Sequence, residues 1–206
     1  MKLLTCGDAA LLIEVDGLTQ ALALTEAVRG AGWVQVWDVV PAASTVLLHT
    51  EPGTDLLALG RAVRELPVDG AAAVGAHARG DTVELDVVYD GPDLAEVAAL
   101  TGLDVAQVVA AHTAGAWRVA FGGFAPGFAY LTGGDPRLQV PRRAEPRTKV
   151  PVGAVGLAGE FSGVYPRASP GGWQLIGRTE ATLWDVDRDP PALLHPGGWV
   201  RFRSIR

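Results

Sequence analysis

Cationic and aromatic side chains gather in one stretch of the chain. Five cations lie between residues 137 and 149, opposed only by Glu145; they are Arg137, Arg142, Arg143, Arg147 and Lys149. Glycine, proline and aromatic residues are dense around them, from residue 121 to 179. A guanidinium binds a carboxylate or phosphate through a two-pronged hydrogen bond, and aromatic rings can cover a planar ligand. The pattern predicts a pocket for a planar, anionic or amide-bearing small molecule. The alternative is that Arg142, Arg143 and Arg147 only coat the rim of a barrel.

Other catalytic signatures are missing from the sequence. There is no G-x-x-x-x-G-K-[ST] phosphate loop, so any use of ATP does not run through a P-loop in this chain. The stretch Gly159–Gly163 places its serine one position too late for a G-x-S-x-G nucleophile turn. The four histidines are scattered, without metal-ligand spacing, and we predict no metal site. Cys6 has no evident sequence partner, which favours a small core residue over a nucleophile.

Composition restricts the class of protein. The chain has 206 residues, of which 49% are hydrophobic and 19% charged, as in globular proteins. Its net charge of −6 argues against nucleic-acid binding, and its single cysteine rules out a disulfide framework. The first eight residues lack the apolar core of a signal peptide, and no apolar run approaches the roughly 18 residues of a membrane helix. We expect a cytoplasmic protein that binds neither nucleic acid nor membranes.

The first part of the chain alternates strand and helix patterns. Apolar runs predict strands over residues 9–15, 33–40 and 44–49, and helical spacing predicts helices over residues 19–29 and 55–66. This order is typical of a ferredoxin-like α/β sandwich. We assign it to residues 1–80, with a linker near Gly70–Asp81.

The second part, residues 81–206, begins with a strand at 83–89 and two helices at 92–100 and 104–112. Asp104 and Gln107 have the spacing of a capping box. Short apolar runs separated by Gly and Pro then predict a β-barrel or sandwich, with strands at 117–121, 150–158, 173–177, 181–186 and 198–205. The predicted fold class is therefore α+β.

Several long, ordered motifs carry a family resemblance. They are Phe124-Ala125-Pro126-Gly127-Phe128-Ala129-Tyr130-Leu131, Pro141-Arg142-Arg143 with Pro146-Arg147, Ala158-Gly159 followed by Tyr165-Pro166, and Ser169-Pro170-Gly171-Gly172-Trp173 followed by Ile176-Gly177-Arg178-Thr179. Together they resemble the KipI family, whose members are also called 5-oxoprolinase B subunits or allophanate hydrolase subunit 1. The resemblance runs from Gly7-Asp8 to Pro196-Gly197-Gly198 and Phe202, which is nearly the whole chain.

The resemblance implies a fold and a function. The implied fold is a ferredoxin-like part followed by a cyclophilin-like β-barrel. The implied function is that of one component of a hetero-oligomeric, ATP-dependent 5-oxoprolinase, a hydrolase that opens 5-oxoproline to glutamate. The implied partners are a KipA-like protein and a LamB/YcsF-like protein, the complex uses ATP with Mg, and the chain alone is expected to be nearly inactive. The alternatives are an inhibitor of a sensor histidine kinase and a urea- or allophanate-linked carboxyl-transfer accessory protein. We do not expect prolyl isomerase activity, because a fold does not carry a function by itself.

The resemblance also suggests site residues. His112 matches a family histidine and is the candidate acid–base group; the alternative is a satisfied core or helix-end histidine. The candidate substrate-binding residues are Arg142, Arg143, Arg147, Lys149, Glu160, Tyr165, Ser169 and Arg178. Arg178 binds either an anion or a carboxylate that closes the barrel, and for Trp173 we favour structural packing.

The chain departs from the family pattern at one position. Where the family commonly has Ala-Gly-x-Gln-Thr-Gly, this chain has Phe161 in the place of the glutamine. If that amide contacts substrate in relatives, a phenyl ring cannot replace its hydrogen bonds, and the substrate differs here. Alternatively, Glu160 takes over a polar role in the loop.

Overall fold

The computed structural model describes residues 1–68 and 81–206. The chain divides into two compact units, Met1–Ala78 and Arg79–Arg206. The predicted linker Gly70–Asp81 lies outside the described residues except for Asp81. The predicted α+β class is confirmed, since one unit holds a sheet with two helices and the other a closed barrel with two more. Within the described parts of the chain, no single helix has the length and apolar composition needed to cross a membrane.

The first unit contains four strands and two helices in its described residues. They are β1 (Lys2–Thr5), β2 (Ala10–Glu14), α1 (Leu18–Ala31), β3 (Val36–Pro41), β4 (Thr45–Thr50) and α2 (Leu56–Glu65). The antiparallel sheet has the order β1-β2-β4-β3. The helices and three of the strands were predicted, whereas β1 was not. From β2 to α2 the order strand–helix–strand–strand–helix is that of a ferredoxin-like unit, and β1 pairs with the free side of β2.

One face of this sheet forms the core of the first unit. Alternate residues of β2 and β4 point to the two helices, as the two-residue period of a strand requires. The buried cluster consists of Leu11, Ile13, Val15, Ala21, Leu24, Val28, Val46, Leu48, Leu59 and Val63. Helix α2 begins at Asp55, whose carboxylate accepts hydrogen bonds from the backbone N–H groups of Leu57 and Ala58.

The second unit contains two helices and nine strands in its described residues. They are β5 (Thr82–Val88), α3 (Leu94–Thr101), α4 (Val105–Thr113), β6 (Ala116–Gly122), β7 (Ala129–Thr132), β8 (Arg147–Val150), β9 (Ala154–Ala158), β10 (Phe161–Val164), β11 (Ser169–Gly171), β12 (Gln174–Arg178) and β13 (Trp199–Ile205), with a short 3₁₀ helix at Pro136–Leu138. Helix α4 begins with the predicted capping box, since Asp104 and Gln107 each accept a hydrogen bond from the other's backbone N–H.

Seven of these strands close into a barrel in the order β10-β7-β6-β13-β5-β12-β9. Strands β5 and β13 run parallel along their full length, while the other barrel pairs are antiparallel. Strands β8 and β11 form a separate two-stranded sheet. This small sheet carries Arg147 and Lys149 on one strand and Ser169 on the other, so it brings predicted site residues together.

Three sequence-based expectations are wrong. The strand predicted at residues 150–158 is not continuous, because a turn at residues 151–153 separates β8 from β9. Residues 181–186 are not a strand: apart from an isolated bridge between Trp184 and Ala192, they form an irregular loop. The apolar residues there reflect packing of a loop, since Leu183 is buried while Trp184 and Val186 are exposed. Cys6 is exposed rather than a core residue, because it follows the end of β1 in the turn before β2.

Candidate functional site

Asp93 is the centre of the arginine cluster. It precedes helix α3 but does not cap that helix with its side chain. Instead its Oδ1 atom accepts hydrogen bonds from Arg143 Nη1 at 2.8 Å and Arg147 Nη2 at 2.6 Å. Its Oδ2 atom accepts a hydrogen bond from the backbone N–H of Leu175 at 2.7 Å. One buried carboxylate therefore fixes two guanidinium groups against strand β12.

Asp93 stays ionised in this setting. Burial disfavours its charged form, but the hydrogen bonds from Arg147 and Leu175 and the charges of both arginines outweigh burial and hold the pKa of Asp93 below its usual range. Glu96, one turn into α3, lies 3.6 Å from Arg143 Nη1 and is half exposed. The arginines are thus partly neutralised, and their orientation is set from within the protein.

The backbone holds the same loop in place. The N–H of Arg143 donates to the C=O of Gly172 at 2.8 Å, and β8 pairs with β11 through Val150 and Ser169. Arg143 and Arg147 are the half-buried members of the predicted cluster, whereas Arg142 and Lys149 are exposed. Arg137 is exposed as well and pairs with Asp135. The five cations therefore separate into two that are fixed on Asp93 and three that are exposed.

Three buried polar atoms beside Asp93 lack a hydrogen-bond partner within residues 1–68 and 81–206. They are Arg143 Nε, Arg147 Nη1 and Gln174 Oε1. Gln174 is 1% exposed, and its Nε2 atom donates a long hydrogen bond of 3.4 Å to the C=O of Pro141. Unpaired buried groups are unusual in folded proteins, because each loses its hydrogen bonds to water. Two donors and one acceptor thus stand unpaired where the arginine loop meets the start of β12.

Tyr165 borders this region. Its ring packs against Gly171 so closely that a side chain at position 171 would overlap the hydroxyl group. Burial raises the pKa of Tyr165, and the charges of Arg142 and Arg147 act in the opposite direction. Tyr165 is therefore a neutral phenol close to the arginine loop, consistent with a pocket wall.

An aromatic cluster fills the space behind Tyr165. Its rings meet mostly edge to face, at centroid separations of 4.4 to 6.5 Å. Aromatic pairs prefer this arrangement. The members are Phe121, Phe124, Phe128, Tyr130, Phe161, Tyr165 and Trp173. Trp173 is buried within it, so the packing role that we favoured for Trp173 is supported by its contacts. Phe161, which replaces the family glutamine, contacts Phe121 and Tyr130.

Phe124 differs from the other rings. It is 57% exposed and its backbone is left-handed, with φ of 66°. A phenylalanine rarely adopts this conformation, and residues held in it cluster at binding and catalytic sites. Phe124 lies edge-on to Tyr165 at a centroid distance of 6.0 Å. It is the exposed ring beside the phenol.

His112 lies in the interior of the second unit. It is fully buried, its Nδ1 atom is 2.7 Å from the Tyr89 hydroxyl, and its Nε2 atom is 2.8 Å from Ser162 Oγ. Its ring also stacks on Phe202 at 4.3 Å. Burial lowers the pKa of His112 to about 3. These contacts favour the alternative of a satisfied core histidine, since the imidazole is neutral and enclosed on both ring nitrogens.

Glu160 belongs to a different place in the unit. It is exposed and lines a cleft of about 170 Å³ with Phe161, Gln139 and Trp117. Asp135 lines the same cleft but is paired with Arg137 at 2.6 Å. Glu160 and the Asp93 cluster are thus separate features.

The remaining predicted residues are also accounted for. Arg178 Nε donates to Asp90 Oδ2 at 3.0 Å, and Arg178 Nη1 lies 3.6 Å from Glu180. Of the two alternatives for Arg178, these contacts favour pairing with a carboxylate that closes the barrel and not binding of an anion. Ser169 is buried, and its Oγ donates to the C=O of Arg167 at 3.4 Å. Ser169 lies on β11 beside the arginine loop, but Arg178 does not join that cluster.

Comparison with known proteins assigns the family. The family described as "Carboxyltransferase domain, subdomain C and D" matches residues 1–194. The chain belongs to this family.

Two curated relatives and a solved structure extend the comparison of this carboxyltransferase-family chain. The 5-oxoprolinase B subunit of Escherichia coli O157:H7 is 54% identical over 123 residues, which are 58% of this chain and 56% of that protein. The 5-oxoprolinase B subunit of Bacillus subtilis (strain 168) is 46% identical over 126 residues, which are 60% of this chain and 52% of that protein. The chain thus matches about half the length of these relatives. The crystal structure of TTHA0988 superposes with a TM-score of 0.75 at 36% identity, covering 96% of this chain and 40% of that one. The KipI-family resemblance is confirmed.

Sequence reasoning missed two residues of the arginine cluster in this carboxyltransferase-family chain. Asp93 lies in the first turn of the helix predicted at residues 92–100, where an acidic residue is common. Gln174 lies in an apolar strand pattern. A polar residue inside such a pattern was the available signal for Gln174, whereas nothing in the sequence links Asp93 to Arg143.

Proposed function

We propose that the chain is one component of an ATP-dependent 5-oxoprolinase that opens 5-oxoproline to glutamate together with a KipA-like and a LamB/YcsF-like protein. The observation that carries the proposal is the 54% identity to a 5-oxoprolinase B subunit. The geometry supports it, because two arginines fixed on Asp93 offer guanidinium N–H groups suited to a small carboxylate. Tyr165 and Phe124 add a phenol and an exposed ring to the same region.

The reaction has a simple balance. 5-oxoproline, ATP and two waters give glutamate, ADP and phosphate. The amide oxygen takes the γ-phosphoryl group, and ADP leaves. One water then adds to the activated carbon, and the ring C–N bond breaks to give a free amine and an acyl phosphate. The second water hydrolyses the acyl phosphate to the carboxylate and phosphate. Such a reaction needs cations for the carboxylate and a water-excluding pocket. In this proposal Arg143 and Arg147 hold and orient the carboxylate, and the proton transfers belong to groups of the assembled complex. His112 remains a candidate only if assembly exposes it.

The described residues do not fit a nucleotide site of their own. The sequence has no P-loop, and residues 1–68 and 81–206 hold no group of three His, Cys, Asp or Glu side chains placed to bind a metal ion. We therefore derive no step of phosphoryl transfer from this chain and assign ATP with Mg to the complex.

The test is turnover by the assembled complex. The chain is co-expressed with its KipA-like and LamB/YcsF-like neighbours, purified as a complex, and assayed for glutamate release from 5-oxoproline with and without ATP. ATP-dependent glutamate supports the proposal. Absence of turnover from a complex shown to be assembled contradicts it.

A second candidate function has one observation in its favour. The family description names a carboxyltransferase domain, which suits an accessory role in carboxyl transfer to urea. In that case the same complex would show no lactam opening, and deletion of the chain would abolish growth on urea while 5-oxoproline use continued. Continued growth on urea after deletion excludes this candidate.

A further inference from the structure

We infer that Gln174, together with Arg143 and Arg147, forms the subsite that distinguishes a cyclic amide from other small carboxylates. The inference rests on the proposed function and deepens it, because it names the group of the substrate that each side chain reads. Gln174 Oε1 accepts a hydrogen bond from the ring N–H, and the two arginines donate to the carboxylate through Arg143 Nε and Arg147 Nη1.

The first argument is the set of unpaired atoms. Within the described residues, Arg143 Nε, Arg147 Nη1 and Gln174 Oε1 are buried without hydrogen-bond partners. A ligand that satisfies all three must offer acceptors to the arginines and a donor to the amide oxygen. A lactam with a carboxylate on the neighbouring carbon offers both, whereas a simple anion such as sulfate offers acceptors but no donor.

The second argument is rigidity. Both arginines are held by Asp93, and Asp93 is held by the N–H of Leu175, the residue after Gln174. The same backbone therefore fixes the acceptor and the two donors. The amide of Gln174 is oriented by the hydrogen bond from its Nε2 atom to the C=O of Pro141, which turns Oε1 away from that carbonyl. A site preorganised in this way discriminates strongly against a ligand that lacks one partner.

The third argument concerns the missing family glutamine. Phe161 cannot accept a hydrogen bond, and its ring packs on Phe121 and Tyr130. Gln174 lies at the start of β12, and Trp173 beside it contacts Tyr130. The acceptor of the proposed subsite is therefore assigned to Gln174 and not to position 161.

The experiment compares two ligands of nearly the same shape in the assembled complex. One is 5-oxoproline, and the other is its lactone analogue, in which ring oxygen replaces the N–H group. Binding is measured by calorimetry and by turnover or inhibition. The wild-type complex is expected to prefer the lactam by at least tenfold. Gln174→Leu is expected to remove most of this preference, whereas Gln174→Glu, which keeps an acceptor oxygen, retains it.

Two further variants control the comparison. Gln35→Leu makes the same change on a half-buried glutamine of the first unit and is expected to leave the preference unchanged. Gln139→Leu makes the same change at a glutamine that lines the Glu160 cleft. If Gln139→Leu alters the preference and Gln174→Leu does not, the lactam lies in that cleft and the inference is overturned. Thermal melting of each variant identifies loss of folding.

The outcomes separate the inference from the proposed function. A complex that binds the lactam selectively through Gln174 but does not turn it over contradicts the function and supports the subsite. A complex that turns over 5-oxoproline equally well with Gln174→Leu, still preferring the lactam, contradicts the subsite alone. Absence of binding to either ligand contradicts the subsite as well.

Discussion

Asp93 and Arg147 lie 54 residues apart in the sequence, yet their side chains meet at 2.6 Å. The contact joins the start of a helix to the two-stranded sheet of β8 and β11. Arg143 shares the same carboxylate oxygen. The position of both arginines therefore depends on a single buried acid.

Replacing that acid will destabilise the protein. We expect Asp93→Asn to lower the free energy of unfolding by about 2–4 kcal/mol, since two partly buried arginines lose their counter-charge. Urea unfolding followed by circular dichroism measures the change. Asp90→Asn is the matched control, because Asp90 pairs with Arg178 where both are about half exposed, and such surface pairs contribute about 0–1 kcal/mol. Equal effects of the two substitutions would contradict the central role of Asp93.

The buried histidine makes stability depend on pH. Burial lowers the pKa of His112 to about 3, whereas the unfolded chain binds a proton near the usual pKa of 6.5. Between these values the unfolded state binds more protons, so stability falls as pH falls. The expected slope is about 1.4 kcal/mol per pH unit below pH 6. His112→Gln is expected to flatten it, and the exposed His195→Gln is not. A His112 imidazole that titrates near pH 6.5 in NMR spectra of the folded protein would refute this burial argument.

The contact between Gly171 and Tyr165 predicts opposite effects for two identical substitutions. Gly171→Ala places a methyl group against the Tyr165 hydroxyl and is expected to destabilise the protein by about 1–3 kcal/mol. Gly30→Ala, on the exposed side of α1 with open space around it, is expected to stabilise by about 0.5–1 kcal/mol through helix propensity. Chemical denaturation of both variants measures the difference. A neutral Gly171→Ala would mean that Tyr165 moves freely.

The planar fork of Arg147 matters for the proposed carboxylate contact. Arg147→Lys keeps the charge but loses the fork, and we expect KM for 5-oxoproline to rise about tenfold in the complex, equivalent to about 1.4 kcal/mol. The exposed Arg167→Lys is the control. If KM rises equally in both variants, or in neither, Arg147 does not bind the carboxylate.

Local signals in the sequence predicted most of the helices. Helix α4 is an example, because both residues of its capping box, Asp104 and Gln107, lie within four consecutive residues. Strands of three or four residues were harder. Strands β7, β10 and β11 are that short, and their pairing depends on barrel partners far away in sequence. The run 181–186 has strand-like composition but is a packed loop.

The candidate site was predicted only in part. The clustering of Arg143 and Arg147 was visible, since both lie in one segment. Their shared partner was not visible, because Asp93 lies 50 residues before Arg143 and 54 residues before Arg147, and contact over that distance depends on the closed barrel. The role of His112 could not be predicted either, because it depends on whether the side chain is buried. A histidine in the last turn of a helix has the same sequence whether it faces solvent or the core.

The most direct test of the proposed function is an omission experiment. Glutamate and phosphate release from 5-oxoproline and ATP are measured together, first with all three proteins of the complex and then with this chain left out. The account predicts one glutamate for each phosphate in the full complex and loss of glutamate release without this chain. Undiminished glutamate release by the remaining two proteins would contradict it.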